Sequence, residues 1–209
     1  IGSDEVGTGD YFGPIVVTSA YVSKENIDFL LDLKVKDSKK LTDQQIIEIV
    51  PQIIKKIPYQ TFILNNKDYN KYKQNDFNMN KMKAILHNKV LYELKKKNYY
   101  YDYIVVDQFE PPKSYFNHIK DTNLKVNDIL FLTKAEDQCL SVACASLISR
   151  YIFLQEMNKL SKALNIILPK GANPTVDEIG KKIVSIYGKD KLNDIAKLNF
   201  KNTEKILGN

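Results

Sequence analysis

The alternation of apolar and polar positions in the first part of the chain predicts an early group of strands. Residues 1–10 and 13–22 predict two strands joined by a glycine-rich turn, since a β-branched run fills Ile15 to Val22. Tyr59 to Leu64 predicts a third strand. We expect the first two strands to form a hairpin that carries acidic residues in its first strand.

Two further strands are predicted in the second half, at Tyr103–Val106 and Val126–Leu132. A continuous apolar run such as Tyr103–Val106 is typical of a strand buried on both faces of a parallel sheet. Strands that come early and then alternate with helices predict a mixed α/β sheet. Helical periodicity predicts the remaining elements: Lys24–Leu33, a helix after Thr42 that Pro51 should kink or divide, a short helix within Asn65–Gln74, a long helix capped by Asn78, a long helix from Leu140 to Leu154, and two or three helices between Pro174 and Leu207.

The length of 209 residues predicts a single domain over residues 1–209, with a helical C-terminal part at about 174–209. A hydrophobic content of 44% is typical of a globular chain. Ile1 falls in the middle of the first predicted strand, so we expect residues upstream of it in the natural protein.

The charge balance favours polyanionic partners, because 31 Lys and Arg residues outnumber 25 Asp and Glu residues. A lysine-rich composition can also arise without a functional reason. The spacing of Cys139 and Cys144 matches neither a zinc site nor a disulfide framework, so we expect two reduced, buried thiols. No signal peptide or membrane-crossing run is recognisable. We therefore expect a cytoplasmic protein without membrane association, and a monomer.

Acidic residues follow the predicted central strands. Asp4 and Glu5 lie in the first strand, Asp107 ends the fourth, and Glu136 and Asp137 follow the fifth and precede a helix. Each acid alone could complement a helix dipole or be a solvated charge. The set is harder to explain in that way, because unpaired carboxylates are costly to bury near a sheet.

Clustered carboxylates repel one another unless cations neutralise them. Mg²⁺ prefers a few carboxylates together with waters and phosphate oxygens. Two such ions about 4 Å apart can activate a water and stabilise the leaving oxygen of a phosphodiester. Acids inside a basic chain therefore predict a two-metal site that acts on nucleic acid.

Four motifs in this order resemble the type 2 ribonucleases H, and within that group the sequence is most similar to bacterial ribonuclease HIII. They are DEVGTGDYFGP at 4–14, DSKKL at 37–41, the strand-end Asp107, and KAEDQCLSVACASLISR at 134–150. The resemblance implies a ribonuclease H-like fold with a five-stranded mixed sheet flanked by helices. It also implies endonucleolytic cleavage of the RNA strand of RNA–DNA hybrids, leaving 3′-hydroxyl and 5′-phosphate ends, with Mg²⁺ or Mn²⁺ as cofactor.

The resemblance implies that Asp4, Glu5, Asp107 and Glu136 are both the catalytic residues and the ligands of two ions. Counting back from the SVACAS helix motif selects Glu136, with Asp137 as the alternative. Ribonuclease HII has Gly-Arg-Gly where this chain has Gly-Thr-Gly, which puts cleavage at a single embedded ribonucleotide in doubt. Ribonuclease HIII also carries an N-terminal substrate-binding domain, and the resemblance implies that this chain begins at the catalytic domain.

Seven further residues are candidate contacts to the substrate. Glycines let the backbone approach a ribose 2′-hydroxyl, which distinguishes RNA from DNA. The polar turn at 38–40 is a candidate phosphate contact, or simply an exposed loop, and Asn80 could contact substrate or cap a helix. The seven candidates are Gly7, Thr8, Gly9, Ser38, Lys39, Lys40 and Asn80.

Other chemistry is predicted to be absent from the site. Ser141 and Ser146 are expected to pack helices, His87 to lie on a helix surface, and His118 to lie in a loop. The Gly-Thr-Gly turn matches neither a P-loop nor a dinucleotide fingerprint. Two alternatives stay open: a non-catalytic basic module that binds nucleic acid, and another phosphoryl-transfer enzyme on the same fold, such as a resolvase or an integrase.

Overall fold

The computed structural model describes residues 1–75 and 77–208, and its strands are Gly2–Val6 (β1), Ile15–Ala20 (β2), Tyr59–Leu64 (β3), Ile104–Asp107 (β4) and Ile129–Leu132 (β5). These described strands form one sheet in the order β3-β2-β1-β4-β5. The α-helices are Ile27–Asp32 (α1), Asp43–Lys56 (α2), Asn66–Gln74 (α3), Met79–Lys95 (α4), Pro112–His118 (α5), Ala135–Gln138 (α6), Leu140–Leu164 (α7), Pro174–Tyr187 (α8), Leu192–Ile195 (α9) and Lys201–Leu207 (α10).

The sheet is mixed, as predicted. Strand β1 pairs antiparallel with β2, with Glu5 opposite Val17. On its other side β1 pairs parallel with β4, with Ser3 opposite Val106, and β4 pairs parallel with β5. The carboxyl ends of β1, β4 and β5 therefore reach the same edge of the sheet, which is where ligands bind in open α/β sheets.

The chain divides into two compact units, and the single domain predicted over 1–209 stays a prediction. The first unit comprises Ile1–Val6, Val16–Phe62 and Asn78–Tyr151. Its core includes Leu91 and Leu94 of α4, which pack with Ile104 and Val106 of β4 and with Val126. Burial of such side chains stabilises each by about 1.5–3 kcal/mol, so the core fixes α4 against the strand that ends in Asp107.

The second unit comprises Gly7–Ile15, Ile63–Phe77 and Ile152–Asn209. Its turn between β1 and β2 is held by Lys197, whose Nζ donates to the carbonyl oxygens of Asp10 at 2.8 Å and Gly13 at 2.5 Å. Burial lowers the pKa of Lys197 to about 7. A neutral amine still donates, so both carbonyls stay satisfied whichever protonation state prevails.

The predicted strands and long helices are present, but several bounds differ: β1 and β2 are shorter than predicted, and α5 was not predicted. Strand β3 has the predicted bounds, and the Asn78 side chain accepts from the Lys81 backbone N–H at 2.8 Å as the predicted cap of α4. Helix α2 is not divided at Pro51, because Val50 and Ile53 continue one buried face on both sides of it. Strand β5 is shorter than predicted, beginning at Ile129. Within the described ranges, no helix has the length and apolar character needed to cross a membrane.

Gly2 allows β1 to lie directly against the start of α7. A Cβ atom at Gly2 would lie 2.4 Å from the backbone nitrogen of Val142 and 2.6 Å from the carbonyl carbon of Ser141. Backbone atoms cannot rotate away as a side chain can, so the strand or the helix would have to shift. The small residue therefore sets the spacing between the strand that carries Asp4 and the helix that covers it.

Gly2→Ala is accordingly expected to lower the free energy of unfolding by about 1–3 kcal/mol, the usual cost of overpacking. Urea unfolding followed by circular dichroism measures this change. Gly9→Ala is the matched control, because a Cβ atom at Gly9 would meet no other atom within 4 Å. Equal unfolding midpoints for the two variants would contradict the close-packing account.

Candidate active site

The strand register places the predicted acids at one edge of the sheet. Ser3 lies opposite Val106, so Asp4 and Asp107 are the next residues along two adjacent parallel strands. Glu136 lies in the first turn of α6, just after β5. Burial raises the pKa of Asp4 above its ordinary value, and the negative charges of Glu5 and Glu136 raise it further. Glu5 and Glu136 are thus each near enough to Asp4 to repel its negative charge.

Asp4 faces α7 and takes its hydrogen bonds from nearby donors. The backbone N–H of Glu5 donates to Asp4 Oδ1 at 2.8 Å, and the Ser146 hydroxyl also bonds to the Asp4 carboxyl group. The Ser149 hydroxyl donates to the Asp4 backbone carbonyl at 3.2 Å. Ser146 and Ser149 of α7 therefore hold Asp4 in place, whereas helix packing alone was predicted for Ser146.

Glu5 faces α4, where two basic residues bind it. Lys83 Nζ lies 2.5 Å from Glu5 Oε1, and His87 Nε2 lies 2.8 Å from Glu5 Oε2. Burial alone would raise the pKa of Glu5, but the hydrogen bonds from His87 and Lys83 outweigh it and hold that pKa below its usual range. The two neighbouring acids thus have different surroundings, which favour a proton on Asp4 and a charge on Glu5.

The prediction that His87 lies on a helix surface is wrong. The His87 side chain has an exposed fraction of 0% and bridges Glu5 to the Ser3 hydroxyl, 2.8 Å from its Nδ1 atom. His118 also has a partner, because its Nε2 atom lies 3.3 Å from Glu110 Oε2, and it ends α5 instead of lying in a loop. The histidine partners are far away in sequence, so no local motif reveals them.

Asp107 and Glu136 are tied to the short segment after β5. The backbone N–H of Ala135 donates to Asp107 Oδ1 at 2.7 Å. Lys39 Nζ lies 2.8 Å from Glu136 Oε1 and 3.1 Å from Asp137 Oδ2. Glu136 is the less exposed of the two acids, at 20% against 47% for Asp137. Its proximity to Asp4 and its burial favour Glu136 as the fourth acid.

The donor chemistry of this site fits a hard divalent cation. Oxygen ligands from carboxylates suit Mg²⁺ and Mn²⁺, and the repulsion felt by Asp4 is the kind that a cation relieves. Across residues 1–75 and 77–208, however, no three acidic, His or Cys side chains are already arranged to hold a metal ion. Protein donors currently engage the acids instead: Lys83 and His87 on Glu5, the Ala135 N–H on Asp107, and Lys39 on Glu136.

The candidate phosphate contacts lie in a tight turn of 3-10 helix at Val35–Lys40. Arg150 of α7 holds the turn, since its Nη1 donates to the Ser38 carbonyl at 2.8 Å and its Nη2 to the Leu41 carbonyl at 3.1 Å. Ser38 is buried, whereas Lys39 and Lys40 are exposed. The exposed-loop alternative thus describes the two lysines and not Ser38. Arg150 is a positioning residue that the sequence motif contained but did not identify.

The glycine turn and Asn80 are placed as follows. Gly7 has a φ of +93°, and a Cβ atom there would lie 2.2 Å from the Pro14 carbonyl oxygen, so glycine is required. Gly9 is exposed and Thr8 half-buried. Asn80 lies exposed in the first turn of α4, and the cap is Asn78, so the capping alternative for Asn80 is wrong. Contact of these residues with substrate stays a prediction.

A surface cavity of about 640 Å³ lies elsewhere, at the other end of β1 and β4. Ile1, Val105 and Cys139 line it together with several tyrosines, and none of the predicted site residues does.

A model of the family Ribonuclease HII matches residues 1–203. The chain belongs to the ribonuclease HII family. This membership confirms the resemblance to type 2 ribonucleases H that the four motifs indicated. Ribonuclease HIII of Bacillus licheniformis is 48% identical over 207 residues, covering 98% of this chain. Ribonuclease HIII of Bacillus subtilis is also 48% identical. The chain spans 66% of the length of each of these two relatives.

The solved structures agree with the fold. The crystal structure of Bst-RNase HIII in complex with Mn²⁺ has a TM-score of 0.96 and 43% identity, covering 99% of this chain and 68% of that one. The ribonuclease H2 of Pyrococcus horikoshii has a TM-score of 0.82 at 25% identity. The predicted ribonuclease H-like fold is therefore confirmed for this family member.

Asp4→Asn is expected to stabilise the metal-free protein. The raised pKa means that the folded chain must hold a proton that the unfolded chain releases, so stability is lost as pH rises from the ordinary Asp range towards the raised pKa. An amide cannot ionise and avoids that loss. A gain of ~1 kcal/mol corresponds to a Tm rise of about 3 °C in a chain of this size.

Thermal unfolding in a chelating buffer, repeated from mildly acidic to mildly alkaline pH, measures this effect. The Tm difference between Asp4→Asn and the parent chain should grow as pH rises. Asp128→Asn is the control, because Asp128 pairs with Lys95 and its pKa is lowered instead of raised. A constant Tm difference, or a less stable Asp4→Asn variant at the higher pH, would contradict the electrostatic reading.

Proposed function

We propose that this chain is the catalytic part of a ribonuclease H that hydrolyses the RNA strand of RNA–DNA hybrids. One observation supports this most strongly: Glu136, from a distant part of the sequence, lies near enough to Asp4 to raise its pKa, as the neighbouring Glu5 also does. Membership of the ribonuclease HII family supports the same reaction. The net charge of +6 would favour binding of a polyanion around this acidic centre.

We propose Asp4, Glu5, Asp107 and Glu136 as the ligands of two divalent ions, Mg²⁺ or Mn²⁺. Support for Mn²⁺ comes from the Bst-RNase HIII complex, whose chain resembles this one at 43% identity. When bound, such ions supply an activated water and stabilise the leaving oxygen of the phosphodiester. Breaking the bond between the phosphorus and the 3′-oxygen leaves a 3′-hydroxyl and a 5′-phosphate.

The remaining residues would hold and select the substrate. Lys39 lies next to Glu136 and is half exposed, so its ammonium can pass from the acid to a phosphate of the bound strand. Lys40 and the Ser38 segment would hold the adjacent backbone. Backbone groups of Gly7, Thr8 and Gly9 would contact a 2′-hydroxyl and thereby select RNA, and Asn80 would approach the hybrid from the start of α4. A monomeric state and a cytoplasmic location stay predictions.

Mapping the products from three substrates tests the proposal. The substrates are a continuous RNA–DNA hybrid, a duplex with a single embedded ribonucleotide and an all-DNA duplex, each end-labelled and incubated with Mg²⁺, with Mn²⁺ or with a chelator. Cleavage confined to the RNA strand of the hybrid, dependent on the metal and ending in 5′-phosphates, is the expected result. Binding of the hybrid without any cleavage would favour a non-catalytic module, and cleavage of DNA would favour a resolvase-like or integrase-like enzyme.

A further inference from the structure

Two side chains of α4 bind both oxygens of Glu5. Lys83 and His87 are four residues apart, so they lie on the same face of the helix. Lys83 contacts Oε1 at 2.5 Å and His87 contacts Oε2 at 2.8 Å. No oxygen of Glu5 is thus without a donor from the protein.

His87 fixes the orientation of the carboxylate. An ionised carboxylate only accepts hydrogen bonds, so His87 Nε2 must carry the hydrogen in this contact. The other ring nitrogen, Nδ1, bonds the Ser3 hydroxyl at 2.8 Å, and the ring stacks on Phe109 with centroids 5.6 Å apart. Both contacts restrain the imidazole, and through it the rotamer of Glu5.

Lys83 has a different effect, because it brings a positive charge to the same carboxylate. Its Nζ atom lies 4.0 Å from the centroid of the Phe109 ring, and its side chain is only 13% exposed. The ammonium therefore stays near Glu5 Oε1 without a full shell of water. A divalent cation that approaches this oxygen meets a like charge already in contact with it.

We propose that His87 and Lys83 are positioning residues for Glu5 with opposite effects on divalent cations. His87 holds the carboxylate in the orientation that binds a cation, whereas Lys83 competes with the cation for Oε1 and moves aside when the ion arrives. The proposal rests on the proposed function in one respect, namely that Glu5 is a metal ligand. It adds that α4 controls how tightly the ion binds.

Titration of the protein with Mn²⁺ in the absence of nucleic acid tests this proposal. Free Mn²⁺, followed by its electron paramagnetic resonance signal, gives the Kd for each variant. His87→Phe keeps the packing and removes both hydrogen-bonding ring nitrogens, so its Kd should rise about tenfold, as for other residues that orient metal ligands. His87→Gln retains one side-chain N–H near Nε2 and should recover part of that loss. Lys83→Met should lower the Kd by roughly thirtyfold, the effect of removing one unit charge about 4 Å from a divalent ion at the dielectric constant of water.

Lys89→Met is the matched control on the same helix. Lys89 also lies over an aromatic ring, with Nζ 3.7 Å from the Phe62 centroid, but it is exposed and has no contact with an acid of the site. Its Kd for Mn²⁺ should equal that of the parent chain. Thermal unfolding without metal checks that every variant is folded.

Opposite signs for the two positions cannot come from a general loss of structure, which would weaken binding in both variants. Weaker Mn²⁺ binding in Lys83→Met, unchanged binding in His87→Phe, or no Mn²⁺ binding by the parent chain would each overturn the proposal. Hybrid cleavage is measured separately. A parent chain that binds Mn²⁺ with the expected pattern of Kd values but never cuts a hybrid refutes the proposed function and leaves this inference standing.

Discussion

Asp107→Asn is expected to reduce hybrid cleavage by roughly a thousandfold or more, while hybrid binding stays within about twofold of the parent chain. The Asn side chain keeps an oxygen for the Ala135 N–H, which now donates to Asp107 Oδ1 at 2.7 Å. The end of β4 and the start of α6 should therefore keep their places. What the variant loses is the negative charge that we propose binds a divalent ion.

Single-turnover cleavage and fluorescence anisotropy with a labelled hybrid measure the two quantities. Asp128→Asn is the control, because it also removes one carboxylate charge. Asp128 lies just before β5 and pairs with Lys95 at 2.7 Å, so this variant should cleave at the parental rate. Parental activity in Asp107→Asn would show that the strand-end acid is not part of the reaction. Equal loss in both variants would indicate a general electrostatic effect.

Glu136→Gln and Asp137→Asn are expected to differ by at least about a hundredfold in cleavage rate, with Glu136→Gln the slower. The two acids are adjacent and both contact Lys39, at 2.8 Å and 3.1 Å. Of these two acids, Glu136 is the one whose charge raises the pKa of Asp4. Comparing the two variants therefore shows whether an acid belongs to the acidic site or only lies near it.

The same single-turnover assay, at saturating Mg²⁺ and again at saturating Mn²⁺, measures this difference. Because the two variants remove the same charge from adjacent positions, each is the control for the other in stability and in long-range electrostatics. A slower Asp137→Asn variant would transfer the fourth ligand position to Asp137. Parental cleavage rates in both variants would remove both residues from the set of ligands.

The strand-end acids could be predicted from the sequence because strand patterns are local. An apolar run that ends in an acid, as at Val105–Val106–Asp107, already indicates where the carboxylate lies relative to the sheet. The parallel pairing of β1 with β4 then brings Asp4 beside Asp107, which requires only that the two central strands be recognised. The capping of α4 by Asn78 was predictable for the same reason.

The partners of Glu5 could not be predicted, because they depend on which face of α4 meets the sheet. One signal was present and was missed. His87 falls in helical step with Ala84, Leu91 and Leu94, all of which are buried, so its position belongs to the core-facing side. The lysines elsewhere on α4 make this buried face difficult to recognise from the sequence. The contact with Glu5 depends on tertiary packing between segments 82 residues apart.

The lysines of the 35–40 turn show a similar limit. Composition and motif predict that Lys39 meets phosphate, but the folded chain offers it Glu136 and Asp137 first. That pairing follows from the position of Arg150, which anchors the turn through two carbonyl groups. A basic residue beside an acidic cluster pairs with the acids until a more negative ligand displaces them. The sequence indicates that such a lysine can bind phosphate, but not which acid it pairs with when no substrate is bound.

Anomalous scattering from Mn²⁺ in crystals of the chain bound to an RNA–DNA hybrid tests the central claim most directly. We predict two peaks about 4 Å apart, coordinated by carboxylate oxygens of Asp4, Glu5, Asp107 and Glu136, with the scissile phosphate of the RNA strand between them. Peaks located away from these four side chains, or no peak beside the bound RNA strand, would contradict the claim.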